Sequence, residues 1–288
     1  MLHVGFKLNM DLLFSLCLLL VASCTFEYPE SEEGNWTGDC VDIERNVQSP
    51  ILIDTTQDYQ TMPISIKFFY NTINALSVIP MHEVYYGHEF KDDEGGYIEV
   101  TGLLEDPNIT LKYTVANIHF HTRSEHVVRC GGTLYSDMEM HIVHSLSTDT
   151  TVVSNYTQTK LVIGVLFDSG APNGSEFISQ LIKGTENLNL KSFIKELGTP
   201  LVGYHYNGSL TTPPCSKIVN WMVMAQRLML TQTQYEFFHN NEEFKDLPNA
   251  RAAVLFHDYD KIFHYSFKYS GATYAGALVM AILGILLV

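Results

Sequence analysis

A mostly β fold, built as a single domain over residues 26–267, is what this sequence predicts, and three observations predict it. Short runs rich in β-branched and aromatic residues, broken by Gly, Asn, Asp and Pro, dominate the middle of the chain. Only two segments read as helices. No linker, repeat or low-complexity stretch divides the chain between its ends, and 288 residues at 46% hydrophobic content are enough for one large β core.

In chain order, residues 1–23 read as a signal peptide. Lys7 precedes an apolar run, Leu12 to Ala22, broken only by Ser15, and Val21-Ala-Ser23 offers a small-residue cleavage site. Val21-Ala-Ser-Cys24 also resembles a bacterial lipobox. Strands are expected at Ile64–Tyr70, Tyr97–Val100, Thr110–Val115, Leu161–Phe167 and Ile218–Val223, with helices near Ser175–Lys183 and Thr231–His239. Residues 270–288 form a hydrophobic tail without charge. Its strongly apolar part, Ala275 to Val288, is shorter than the ~20 residues a spanning helix needs. No Lys or Arg follows it, and Ser270-Gly-Ala272 stands just upstream. The tail therefore reads as a GPI signal, with a short membrane anchor or a buried C-terminal strand as the alternatives.

Composition narrows the function classes. A net charge of −15 argues against nucleic acid as a partner, which asks for a basic patch. Sequons at Asn35, Asn108, Asn155, Asn173 and Asn207 fit a glycosylated protein of the secretory pathway, at the extracellular face of the plasma membrane or secreted. Such surroundings allow a disulfide among Cys24, Cys40, Cys130 and Cys215, while Cys17 leaves with the signal peptide. The residues alone leave the connectivity open.

The chemistry sits in the histidines. His119-Phe-His121 and Glu139-Met-His141 have the period of strands, so His119 and His121 share one face, as do Glu139, His141 and Val143. Two neighbouring strands could present three imidazoles to one point. That suits catalytic zinc, which takes three nitrogen ligands and keeps a fourth position for water, whose pKa falls to about 7. Ligand histidines need acceptors on their other ring nitrogen; Glu139 precedes His141 on its face, and Asn117 precedes His119. By parity His144 faces away from His141 and is structural. His82-Glu83 and His88 are too far apart for a zinc-protease helix, and neither a Gly-x-Ser-x-Gly elbow nor a phosphate-cradling loop occurs.

Across these residues the chain resembles the α-class carbonic anhydrases. The likeness runs in family order through Gln48-Ser-Pro-Ile51, Tyr86-Gly-His88-Glu-Phe90, Ser124-Glu125-His126, Glu139-Met-His141-Ile-Val-His144, Tyr206-Asn-Gly-Ser-Leu-Thr-Thr-Pro-Pro-Cys215 and Asn249-Ala-Arg251. It covers Tyr28 to Arg251. The resemblance implies a large twisted, mainly antiparallel sheet with a few short surface helices and zinc at the base of a conical cleft. It implies His119, His121 and His141 as zinc ligands, held by Asn117, the backbone carbonyl of Asn249, and Glu139. It implies that Thr211 donates to Glu125 and so orients the attacking hydroxide, with Thr212 on the same wall. Val143, Val162, Leu210, Val219 and Trp221 would form the apolar wall for carbon dioxide. His88 would relay the proton to bulk, an imidazole being suited to this near neutral pH, and Tyr28 would join the water chain. Tyr86 and Lys91 stand where the family's fast members frequently carry Asn, which predicts slower relay. Cys40 and Cys215 match the disulfide of secreted members, whereas Cys130 has no family partner. The link Thr122-Arg-Ser124 is shorter than usual, and Thr122 replaces a large packing residue.

The function expected is reversible hydration of carbon dioxide to bicarbonate and a proton, with membrane attachment through the tail or its lipid replacement. The alternative is a binding or adhesion module of the same fold with little activity, and ester hydrolysis would be a side activity. Inactive relatives typically lack a ligand histidine, which this chain retains.

Overall fold

A computed structural model of the chain describes residues 38–41, 48–73, 78–81, 85–104, 106–129, 135–148, 156–184, 187–240, 249–254 and 261–268. The signal segment, the apolar tail, Cys17, Cys24, Tyr28, Asn35, Cys130 and Asn155 lie outside the described residues. The strands are β1 (Leu52–Asp54), β2 (Gln60–Thr61), β3 (Ser65–Tyr70), β4 (Thr72–Ile73), β5 (Ile79–Met81), β6 (Tyr85–Glu89), β7 (Gly96–Thr101), β8 (Thr110–Thr122), β9 (Val127–Arg129), β10 (Met138–Leu146), β11 (Lys160–Asp168), β12 (Leu188–Asn189), β13 (Leu201–Gly208), β14 (Val219–Met229) and β15 (Phe263–Phe267). The α-helices are α1 (Glu176–Lys183), α2 (Lys191–Leu197) and α3 (Gln232–His239).

One 11-stranded sheet dominates, in the order β2-β15-β13-β14-β11-β10-β8-β6-β5, with β7 also on β8 and β3 beyond it. Its pairs are antiparallel except β11 with β14 and β15 with β2. The predicted mostly β class holds. The five predicted strands appear as β3, β7, β8, β11 and β14, but β8 and β14 run well past the expected ends. Both predicted helices also form, and the reason is local. Ser175 caps α1 by accepting from Ile178 N, and Gly184 closes it in the left-handed region at φ 61°. Thr231 and Gln234 make a reciprocal capping box on α3. Helix α2 was not expected; its cap position, Leu190, makes no side-chain hydrogen bond, and Asn189 Oδ1 accepts from Lys191 N at 2.8 Å instead.

The sheet has two differently used faces. Ile118, Phe120, Met140, Ile142, Ile163, Val165, Met222 and Met224 point to a large core shared with Phe177, Ile178, Leu181, Phe193, Ile194 and Phe238 of the three helices. The alternate residues point the other way, where Val162, Leu166, Tyr204, Tyr206, Trp221 and Val223 form a second cluster. The ligand histidines belong to this second face.

A disulfide joins Cys40 to Cys215, with their Cα atoms 5.0 Å apart and 175 residues between them in sequence. A closed loop of that length stabilises a fold by about 2–5 kcal/mol. The bridge also ties the segment before Gln48 to the loop carrying Thr211 and Thr212.

Candidate metal centre

Antiparallel pairing of β8 with β10 sets His119 opposite His141 and His121 opposite Glu139. Directly paired residues share a face, so register alone gathers the three imidazoles and the carboxylate. One nitrogen from each of His119, His121 and His141 lies within 4.8 Å of the others.

Each ring is aimed by an acceptor on its remaining nitrogen. His119 Nδ1 meets Asn117 Oδ1 at 2.8 Å. His121 Nδ1 donates to the backbone carbonyl of Asn249. His141 Nε2 lies 2.9 Å from Glu139 Oε1. These partners set the tautomers, so the converging atoms are the lone pairs of His119 Nε2, His121 Nε2 and His141 Nδ1. His119 Nε2 and His141 Nδ1 stand 3.3 Å apart. Two acceptors facing each other at that distance are satisfied by a cation between them. With zinc–nitrogen bonds of about 2.0–2.1 Å, the edge of a tetrahedral ligand set is about 3.3–3.4 Å. The residues therefore fit zinc.

Glu139 is the hub. Its side chain is fully buried, and its two oxygens accept four hydrogen bonds. Oε1 takes His126 Nδ1 and His141 Nε2, and Oε2 takes the backbone N–H groups of Glu125 and His126, at 2.8–2.9 Å. Burial by itself would raise its pKa, but the charges and hydrogen bonds of His126 and His141 hold it well below the usual carboxylate range. His126 in turn reaches Tyr206 Oη at 2.7 Å through Nε2, and Tyr206 contacts Ser49 Oγ at 2.9 Å.

Glu125 is buried beside the ligands. Its Oε1 accepts from Arg251 N at 2.8 Å. Its Oε2 has no hydrogen-bond partner among the described residues and lies 3.5 Å from His121 Nε2 and 3.9 Å from His141 Nδ1. Thr211 is buried in the loop after β13, but a hydrogen bond from Thr211 to Glu125 is not formed among the described residues. That loop is anchored rather than loose. Ser209 N donates to Ser49 Oγ, Trp221 Nε1 donates to Ser209 O, and Cys215 N closes a turn onto Thr212 O. Thr212 is exposed.

The five residues expected to line an apolar wall lie together. Val162, Val219 and Trp221 are buried in one cluster, with Val143 and Leu210 partly buried against it. Val143 pairs with Val162, and Val162 with Trp221. The Trp221 ring lies 4.9 Å from that of His141, so the wall adjoins the ligands.

His88 is not brought to the ligands' face. On β6, Gly87 pairs with His119, while His88 pairs with Ile118, and the His88 ring stands edge-on to the core residue Phe90 at 4.8 Å. Glu89, paired with Asn117, shares the ligands' side with Gly87. Nor is Tyr86 set to crowd a relay there. It stacks on Phe237 at 5.5 Å and meets Phe238 edge-on. His144 is structural as expected, buried between Tyr70 Oη at 3.0 Å and Leu161 O at 3.1 Å. Among the sequons, Asn108, Asn173 and Asn207 are exposed.

Sequence reasoning gave no role to Arg251 or His126. The signal was present in the motifs, since Asn249-Ala-Arg251 and Ser124-Glu125-His126 were both singled out. The guanidinium of Arg251 binds Gln48 Oε1, Ser49 O and Cys40 O at 3.0, 2.8 and 3.3 Å. It thereby connects the disulfide to the residue that holds Glu125.

The family model for eukaryotic-type carbonic anhydrase matches residues 31–253. Alpha carbonic anhydrase 4 of Arabidopsis thaliana is 34% identical over 121 residues, 40% of this chain and 40% of that protein. A carbonic anhydrase of Neisseria gonorrhoeae is 32% identical over 154 residues, 49% of this chain and 56% of that protein. The chain thus spans about half the length of these curated relatives. Among solved structures, carbonic anhydrase Cah3 from Chlamydomonas reinhardtii in complex with acetazolamide superposes with a TM-score of 0.59 at 22% identity, covering 83% of this chain and 98% of that one. At that identity the likeness establishes the fold.

Proposed function

The chain belongs to the eukaryotic-type carbonic anhydrase family, and from that premise we propose that it hydrates carbon dioxide reversibly to bicarbonate and a proton, using zinc held by His119, His121 and His141. The observation that carries this reading is the convergence of three aimed imidazole lone pairs beside an apolar wall. Zinc in this set would supply a nucleophile from water near neutral pH.

The chain's own residues do the rest. Val143, Val162, Leu210, Val219 and Trp221 give an apolar seat for carbon dioxide, which offers no charge or donor to bind. Arg251 N occupies Glu125 Oε1 and leaves Oε2 as the acceptor for the Thr211 hydroxyl. With its O–H donated as a hydrogen bond to Glu125 Oε2, the Thr211 oxygen could only accept, which would orient the attacking oxygen and its lone pair toward carbon. Thr212 lies on the exposed side of the same loop.

Proton exit is assigned to His88 by its place in the motif, but its register sets it off the ligands' face. A well-placed relay contributes about 10²–10⁴-fold. His88→Ala is expected to lower turnover in weak buffer by only a few-fold; a loss of about 10²-fold would show that His88 carries the exit after all.

A cell-surface or secreted location is supported by the Cys40–Cys215 disulfide, the exposed sequons at Asn108, Asn173 and Asn207 and the apolar sequence at both ends. Among the described residues no helix is long and apolar enough to cross a membrane. The binding-module alternative gains nothing from the site, whose ligand set is intact. Stopped-flow carbon dioxide hydration by the purified protein is the test. The expected rate disappears on zinc chelation and returns with zinc, and a protein with no chelator-sensitive rate would leave only the binding module.

A further inference from the structure

We propose that the side chain of Asn249 is a positioning residue for the ligand His121, acting separately from the backbone carbonyl that receives the ring. This rests on the zinc reading above. Three contacts from one residue bracket the ligand. The Oδ1 of Asn249 accepts the N–H of Thr122 at 2.8 Å and lies 3.5 Å from Thr122 Oγ1. Its Nδ2 donates to the carbonyl of Phe120 at 3.3 Å. Its backbone oxygen takes the Nδ1 proton of His121. The backbone on both sides of His121, and the ring itself, are therefore fixed to a residue 128 positions away.

The need for such a clamp lies in where His121 sits. Strand β8 ends at Thr122, so His121 is its penultimate residue, and strand ends open first. His119 is better supported, paired to Gly87 on one side and His141 on the other. Beyond Thr122 the link to Glu125 is only Arg123 and Ser124, so any shift at the strand end passes to Glu125. Two residues after Asn249, Arg251 N holds Glu125 Oε1 at 2.8 Å. The segment 249–251 therefore grips the end of the ligand strand and the orienting carboxylate together.

The test measures zinc dissociation constants by chelator competition for the wild type, Asn249→Ala and Asn249→Asp, alongside thermal unfolding of the metal-free proteins and visible spectra of the cobalt-loaded ones. All variants retain the backbone carbonyl, so only the side chain is probed. Residues that orient metal ligands typically change affinity 10–100-fold. We expect Asn249→Ala to fold metal-free, bind zinc 10–100-fold more weakly and change the cobalt spectrum. Asn249→Asp keeps an acceptor for Thr122 and loses the donor to Phe120, and should fall between. A lower melting temperature with unchanged zinc affinity and cobalt spectrum would overturn the proposal. If Asn249→Ala does not fold, unchanged zinc affinity in Asn249→Asp overturns it equally. A wild type that binds no zinc would instead remove the metal reading, a distinct outcome.

Discussion

Replacing Glu139 by alanine is expected to cost most or all of the fold's stability and to abolish tight metal binding. The carboxylate is the shared acceptor of four donors with no exposure to water. Removing it leaves the backbone N–H groups of Glu125 and His126 and the ring N–H groups of His126 and His141 inside the protein without an acceptor. Each stranded buried donor costs about 1–3 kcal/mol, so the total is on the order of 5 kcal/mol or more, against the roughly 5–15 kcal/mol that a whole domain has. Glu139→Gln separates charge from volume. Its amide nitrogen must face either two backbone N–H groups or the two imidazoles. It can face the imidazoles only if His141 Nε2 gives up its proton, which moves the proton to Nδ1, the atom that would meet the metal. Glutamine is therefore expected to destabilise by about 3–5 kcal/mol and to weaken zinc binding at least 10-fold. Gly164 probes the same oxygen from the other side. A Cβ there would stand 2.7 Å from Glu139 Oε1, so Gly164→Ala should reproduce part of both losses with the carboxylate intact. Urea unfolding and chelator competition on the three variants provide the check. A Glu139→Gln protein within 1 kcal/mol of wild type, with unchanged zinc affinity, would refute the hub assignment.

How much of this was visible in the sequence depends on the range of the interaction. The ligand triad was legible because strand periodicity is local: His119 and His121 are two apart, and Glu139 and Asn117 precede their histidines by two. The helices α1 and α3 were legible for a similar reason, as the Ser175 and Thr231 that start them act on atoms three residues away. What could not be read was register between distant strands. The face taken by His88 is set by the pairing of β6 with β8, and a slip of one residue would exchange His88 and Glu89. No pattern within Tyr86-Gly-His88-Glu-Phe90 announces it. The roles of Arg251 and of the Asn249 side chain arise from contacts across more than a hundred residues, so they wait on the fold.

Acid is expected to begin destabilising the protein well above the ordinary range of carboxylate titration, because two histidines are buried neutral away from the metal ligands. Burial pushes His144 and His205 down to about 4, despite a carbonyl partner on each, Leu161 O for His144 and Trp221 O for His205. In the unfolded chain both rings titrate near 6.5. Above that pH both states carry neutral imidazole, and these groups leave stability unchanged. Between 6.5 and about 4 the unfolded state takes up protons that the folded state refuses, so stability falls as pH falls, by about 1.4 kcal/mol per pH unit for each histidine. The two together remove on the order of 7 kcal/mol by pH 4, within the range of a domain's whole stability. Glu139, held below its ordinary value, adds a loss of the same sign at lower pH. Urea midpoints of the metal-free protein should therefore decline steadily from pH 6.5 to 4.5, with close to two additional protons bound on unfolding near pH 5. Metal-free protein is the right sample, since pH-dependent release of the metal would otherwise add its own dependence. A His205→Gln variant that folds should lose about half of the slope. Midpoints that stay flat between pH 6.5 and 5 would mean that these rings can be protonated in place, and that the interior around β10 and β13 admits charge more readily than its complete burial allows.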